Sequence, residues 1–185
     1  MTPEEYLAFE RSSEIKHEYF DGELFAMVGA KKSHNLINAN LTTNLVTQFR
    51  ADGSTCRVFS NDMRVRVLKN GKYTYPDIVI ACGDMEFEDH ELDTLLNPIV
   101  IIEILSASTE AYYRGVKFQH YRLIPSLQEY ILVSQHACLV EKFVRNNDGT
   151  WSYFSYEEME ERLNIDAVTC EVPLSDIYYW IAFEK

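Results

Sequence analysis

The stretch NPIVIIEILSAST, residues 97–109, decides how the chain is read. Ile99, Val100, Ile101 and Ile102 run into Glu103, and Ile104 and Leu105 resume the apolar run. Branched aliphatics without alternation are the pattern of a strand buried on both faces, in a sheet covered on each side. An ionised carboxylate in such a strand is costly unless a counter-charge meets it. Glu103 therefore predicts a partner, either a divalent cation or a buried Lys or Arg, and the strand by itself leaves both open.

A second acid stands in YTYPDIVIA, residues 73–81, where Asp77 begins another apolar run. Pro76 lacks an N–H, which suits a strand start or an interruption in the ladder. If the two strands are neighbours, Asp77 and Glu103 can converge on one Mg²⁺ or Mn²⁺, with a backbone carbonyl near Ile104 as a further ligand. Mg²⁺ typically takes one or two carboxylates and completes its shell with water and phosphate. Such an ion can also activate water for attack on phosphorus. A two-carboxylate glycosidase is the weaker alternative, because the 12 Tyr and 10 Phe fall where core packing explains them.

The following segment, TEAYYRGVKFQHYRLI (109–124), reads as a helix stopped by Pro125. Tyr113, Lys117 and Tyr121 recur at four-residue spacing and share a stripe, with Arg114 and Arg122 on adjacent turns. Lys117 aimed at the two acids would orient the attacking water or stabilise charge on phosphorus. Taken alone, the helix reads rather as an ordinary amphipathic one with solvated Lys and Arg.

The remaining chain reads as a mixed α/β (α+β) order, a sheet flanked by helices, and we place one domain over residues 1–185. Thr2, Pro3 and Glu5 spell a helix start. HEYFDGELFAMVG alternates around Asp21-Gly22 as a hairpin. Leu36, Ile37, Leu41, Leu45 and Phe49 form the stripe of a long helix ending at Asp52-Gly53. CRVFS, MRVRVL, EYILVSQ, LVEKFVR and WSYFSY are strand candidates, and PLSDIYYW is expected to dock on the body.

Seventeen basic against 29 acidic residues give a net charge of −12, which opposes non-specific attraction to DNA. A local basic surface can still exist, and Lys31, Lys32, Arg50, Arg64, Arg66, Arg114 and Arg122 are the candidates for phosphate contacts. The acidic 84–93 loop is expected to face away from DNA. Cys56, Cys82, Cys138 and Cys170 are widely spaced, which favours four reduced thiols in a cytoplasmic protein. There is no signal core at the N-terminus, and no apolar run is long enough to span a bilayer.

Tyr75-Pro76-Asp77, Glu103-Ile104-Leu105-Ser106 with Ser108-Thr109, Arg114-Gly115-Val116-Lys117-Phe118 with Tyr121, and Pro125-Ser126-Leu127-Gln128-Glu129-Tyr130 occur in that order. Together with Glu18-Tyr19-Phe20-Asp21-Gly22-Glu23 and His34, they resemble the Uma family of restriction-endonuclease-like proteins, in the PD-(D/E)xK nuclease superfamily. The resemblance implies a restriction-endonuclease-like central mixed sheet flanked by helices, and hydrolysis of DNA phosphodiesters with Mg²⁺ or Mn²⁺. It assigns Asp77 and Glu103 to the two acidic motifs. Leu105 occupies the position where the motif lysine ordinarily stands, and the family is thought to supply that lysine from the following helix, here Lys117. Glu18 resembles an auxiliary acid near the metal, although we favour a solvent-facing hairpin residue. His34 would be an auxiliary group or a structural hydrogen-bonder. The resemblance also suggests a homodimer. The competing expectation is a nuclease-like fold that no longer cleaves and serves as a binding or scaffolding module.

Overall fold

The computed structural model describes residues 1–27, 29–106 and 110–183; Ala107, Ser108 and Thr109 of the opening motif lie outside them. Helix α1 (Pro3–Glu10) starts at a reciprocal Thr2–Glu5 capping box with Pro3 in its first turn. Strands β1 (His17–Phe20) and β2 (Glu23–Ala26) form a hairpin. Its turn residues Asp21 and Gly22 have φ of 50° and 86°, the two positive values a tight two-residue turn requires. Helix α2 (Lys32–Ala51) buries Ile37, Leu41, Leu45 and Phe49 on one stripe, with Asn38 among them.

Strands β3 (Arg57–Ser60), β4 (Arg64–Val67), β5 (Lys72–Thr74), β6 (Ile78–Ala81), β7 (Thr94–Leu95) and β8 (Val100–Leu105) follow. Beyond β8, α3 (Glu110–Tyr112) passes through a π-helical turn, Tyr113–Lys117, into α4 (Phe118–Tyr121). Strands β9 (Glu129–Ser134), β10 (Val140–Arg145), β11 (Trp151–Tyr156), β12 (Arg162–Ile165) and β13 (Cys170–Pro173) precede α5 (Leu174–Ile177).

The central sheet has the order β11-β10-β9-β8-β6-β3, with β8 and β9 parallel and the other neighbours antiparallel. All six residues of β8 and of β9 are buried. One face packs Ile78, Ile80, Ile102, Ile104, Ile131 and Val133 against the α2 stripe and the C-terminal Leu174, Ile177 and Tyr178. The other packs Val79, Ile101, Leu105, Tyr130 and Leu132 against Val65, Val67, Tyr121, Ile124 and Leu127.

In place of the single sheet expected, the strands on either side of Pro76 are divided between two sheets. Strand β5 belongs to a second sheet, β2-β1-β5-β4-β7, and β6 to the central one. Tyr75-Pro76 is the crossing point, and a residue without an N–H cannot continue a ladder there. A third unit, the β12–β13 hairpin, is not foreshadowed by any alternation long enough to read.

The cysteine expectation also needs correction. Pairing of Arg57 with Ala81 brings the residues just beyond them, Cys56 and Cys82, opposite each other, and the two are joined by a disulfide. The expectation rested on their separation of 26 residues, which says nothing of strand register. Cys138 and Cys170 are free. No helix among the described residues is long and apolar enough to cross a membrane.

Candidate active site

Strand register brings the two acids together. Ile78 pairs with Ile102 across β6 and β8, so Asp77 and Glu103 are the next opposite pair at the end of the ladder. Asp77 Oδ2 accepts the Ile104 N–H at 2.7 Å, and Glu103 Oε2 accepts the Asp77 N–H at 3.3 Å. Glu103 is only 1% exposed. Burial pushes its carboxyl up to about 7; the Lys117 charge opposes that rise and Asp77 adds to it.

The π-helical turn delivers the lysine. Lys117 closes that turn, is 1% exposed, and sets Nζ 2.9 Å from Glu103 Oε1 and 3.0 Å from Glu18 Oε1. The ammonium lies 4.3 Å from the centre of the Tyr113 ring, a favourable cation–π distance. One turn on, the Tyr121 hydroxyl donates to Glu103 Oε1 at 2.7 Å. Burial alone would lower the Lys117 pKa, but Glu103 and Glu18 hold it well above the ordinary lysine value.

Glu18, expected to face solvent, points inward from β1. Its side chain is 12% exposed, and it receives the Thr74 hydroxyl as well as Lys117. Lys72, also buried, stands 3.6 Å from Glu18 Oε2 and donates to the Tyr112 hydroxyl at 2.7 Å. Burial raises the Glu18 pKa, yet the charges of Lys117 and Lys72 outweigh it and leave the carboxyl below its usual value.

The first two turns of α2 grip Asp77. His34 Nε2 is 3.1 Å from Asp77 Oδ1, and Asn38, four residues on, donates to the Asp77 carbonyl at 3.1 Å. Burial disfavours the His34 cation, but the Asp77 hydrogen bond and charge prevail and raise its pKa. Asn38, Thr74 and Lys72 were not foreseen. Asn38 alone carried a usable signal, a buried amide on an otherwise apolar stripe at i+4 from His34.

Several basic residues expected at phosphates are committed elsewhere. Arg64 is 3% exposed and pairs with Asp93 at 2.7 Å; Arg66 pairs with Glu88, and Arg114 with Glu110 and Glu141. The acidic 84–93 loop thus serves as counter-charge, with Arg11 bridging Asp89 and Asp93. Lys31, Lys32, Arg50 and Arg122 are exposed.

Among the described residues no three or more His, Cys, Asp or Glu gather around a common point as a ready-made metal cage. The donors present at the sheet end are two carboxylates and backbone oxygen. That set fits Mg²⁺ or Mn²⁺, hard cations that complete their shells with water and substrate phosphate, and does not fit a closed site built of side chains.

A mixed central sheet flanked by helices, with two acids meeting at the end of its buried strands, defines a restriction-endonuclease-like nuclease fold. The chain belongs to the Uma2 family, described as "Putative restriction endonuclease", which it matches over residues 3–175. It is 34% identical over 183 residues to the uncharacterized protein slr1290 of Synechocystis sp., covering 99% of this chain and 94% of that one. A second uncharacterized protein of that organism, sll1609, is 32% identical over 151 residues, covering 82% and 84%. The crystal structure of a "putative nuclease belonging to DUF820" from Anabaena variabilis shares the fold, with a TM-score of 0.80 over 98% of this chain and 99% of that chain at 16% identity.

Proposed function

We propose that the chain is a metal-dependent nuclease that hydrolyses DNA phosphodiester bonds at Asp77, Glu103 and Lys117. The observation that carries this reading is the meeting of Asp77 and Glu103 where the β6–β8 ladder ends, with the Lys117 ammonium 2.9 Å from Glu103. Family membership supports the reaction class.

Asp77, Glu103 and the Ile104 carbonyl would hold Mg²⁺ or Mn²⁺; the Ile104 N–H already meets Asp77, and in a strand the carbonyl of a residue leaves on the same edge as its N–H. A bound divalent ion supplies Lewis acidity at the scissile phosphate and lowers the pKa of water. The chain's own groups supply the rest. His34 and Asn38 fix Asp77 by side chain and backbone. Tyr121 orients Glu103 and leaves Lys117 as a preorganised positive charge for the negative charge that develops on phosphorus-bound oxygens. Lys31 and Lys32, exposed at the start of α2 just before His34, are the basic side chains best placed for backbone phosphates. A homodimer would set two such sites on one duplex.

Nicking of supercoiled plasmid in Mn²⁺ tests the reading. Wild type should nick, and Asp77→Asn and Lys117→Ala should each lower the rate by about 10²–10³-fold or more. A folded, metal-loaded wild type that does not nick would point instead to the non-cleaving binding module.

A further inference from the structure

Glu103 divides the site into two sides. Its Oε2 takes the Asp77 N–H, beside the Ile104 N–H that meets Asp77. Its Oε1 belongs to Lys117, at 2.9 Å, and to the Tyr121 hydroxyl. Beyond the ammonium stands Glu18, with Oε1 3.0 Å from Lys117 Nζ and Oε2 3.6 Å from Lys72 Nζ. Lys117 Nζ therefore lies almost equidistant from two carboxylate oxygens, where a second cation shared by Glu103 and Glu18 would sit.

We propose that Glu18 acts through Lys117 rather than as a metal ligand, and that the Lys117 ammonium is the second positive charge of a site taking one divalent cation. The inference rests on the hydrolytic reading above and goes beyond it in fixing the ion count and the role of Glu18. Both Glu18 oxygens already face donors, Lys117 and Thr74 on one and Lys72 on the other. Two-metal phosphodiesterase sites set their ions about 3.5–4 Å apart. Here Glu103, the acid that touches both sides, has a buried ammonium on its far oxygen, and a second ion beside that ammonium would meet strong repulsion at low dielectric. Glu18 is thus a positioning residue: with Lys72 behind it, it holds Lys117 against the Glu103 oxygen that faces away from Asp77.

Counting bound Mn²⁺ by the electron paramagnetic resonance of the free ion tests this without reference to cleavage. Wild type should bind one ion. Glu18→Gln should still bind one, with Kd within about tenfold of wild type, while its nicking kcat falls about 10–100-fold at unchanged KM. Lys117→Gln should bind two, and the Lys117→Gln/Glu18→Gln double variant one again. Two ions on wild type, loss of the ion from Glu18→Gln, or a single ion on Lys117→Gln overturns the proposal. If Lys117→Gln does not fold, the wild-type and Glu18→Gln counts decide. Two ions on a wild type that nicks overturn this inference alone, whereas no ion on wild type overturns the hydrolytic reading with it, so the count tells the two failures apart.

Discussion

Two buried lysines lie on opposite faces of the central sheet, and their surroundings differ. Lys117 is enclosed between Glu103 and Glu18, whose side chains are 1% and 12% exposed. Lys142 is as deeply buried, yet its ammonium reaches Asp166, 74% exposed, at 3.0 Å and the Asn164 carbonyl at 2.6 Å. The buried acid nearby, Glu129, is 3.9 Å away and uses its other oxygen to accept the Ala167 N–H at 2.7 Å. Lys142 thus ties a turn to the sheet and drains its charge toward water. Among the described residues Lys117 has no such outlet, because the charges it meets, Glu103 and Glu18, are themselves enclosed. Burial of a cation is common to both; convergence of several acids on it separates a candidate site from a structural clamp.

The largest expected difference is in stability. Lys117→Ala leaves two enclosed carboxylates facing each other and should cost about 3–5 kcal/mol by urea denaturation at pH 7.5 in EDTA. Lys142→Ala should cost about 1.5–3 kcal/mol, because Asp166 returns to water and only Glu129 is left enclosed, with its other oxygen still on the Ala167 N–H. Equal losses would break the contrast.

A smaller effect sharpens it through pH. The folded-state pKa of Glu103, about 7, lies above the ordinary carboxyl value of 4.5, so the folded protein holds this proton more tightly than the unfolded chain does. The stabilisation is complete below 4.5 and is lost as pH rises through 7. Thermal melts in EDTA from pH 4.5 to 8 should show that decline for wild type and a flatter profile for Glu103→Gln. The smallest change is expected at the solvent end of the clamp: Asp166→Asn should shift stability by less than about 1 kcal/mol, measured in the same urea series.

Much of this was legible before any coordinates. Asp21-Gly22 announced its hairpin, and the Ile37-Leu41-Leu45-Phe49 stripe its helix, because local turn chemistry and periodicity depend on neighbours in sequence. Glu103 announced its own need for a partner by interrupting a buried strand. What stayed hidden depends on register or distant pairing. Glu18 meets Lys117 across 99 positions of chain, so nothing near it in sequence distinguishes it from an ordinary hairpin acid. Arg64 and Arg66 read as free surface charges until the 84–93 loop folds over them. Cys56 and Cys82 likewise become neighbours only once β3 and β6 align.

The π-helical turn at Tyr113–Lys117 bears on where along its helix the lysine stands. A π turn accommodates one residue more than the α-helix around it. The extra residue is absorbed within the turn, so the helical residues before and after it keep nearly the same facing. Lys117, which closes that turn, and Tyr121, one turn on, therefore meet the same Glu103 oxygen, so the shape of this one turn, as much as the identity of either side chain, decides how the strand acid is partnered.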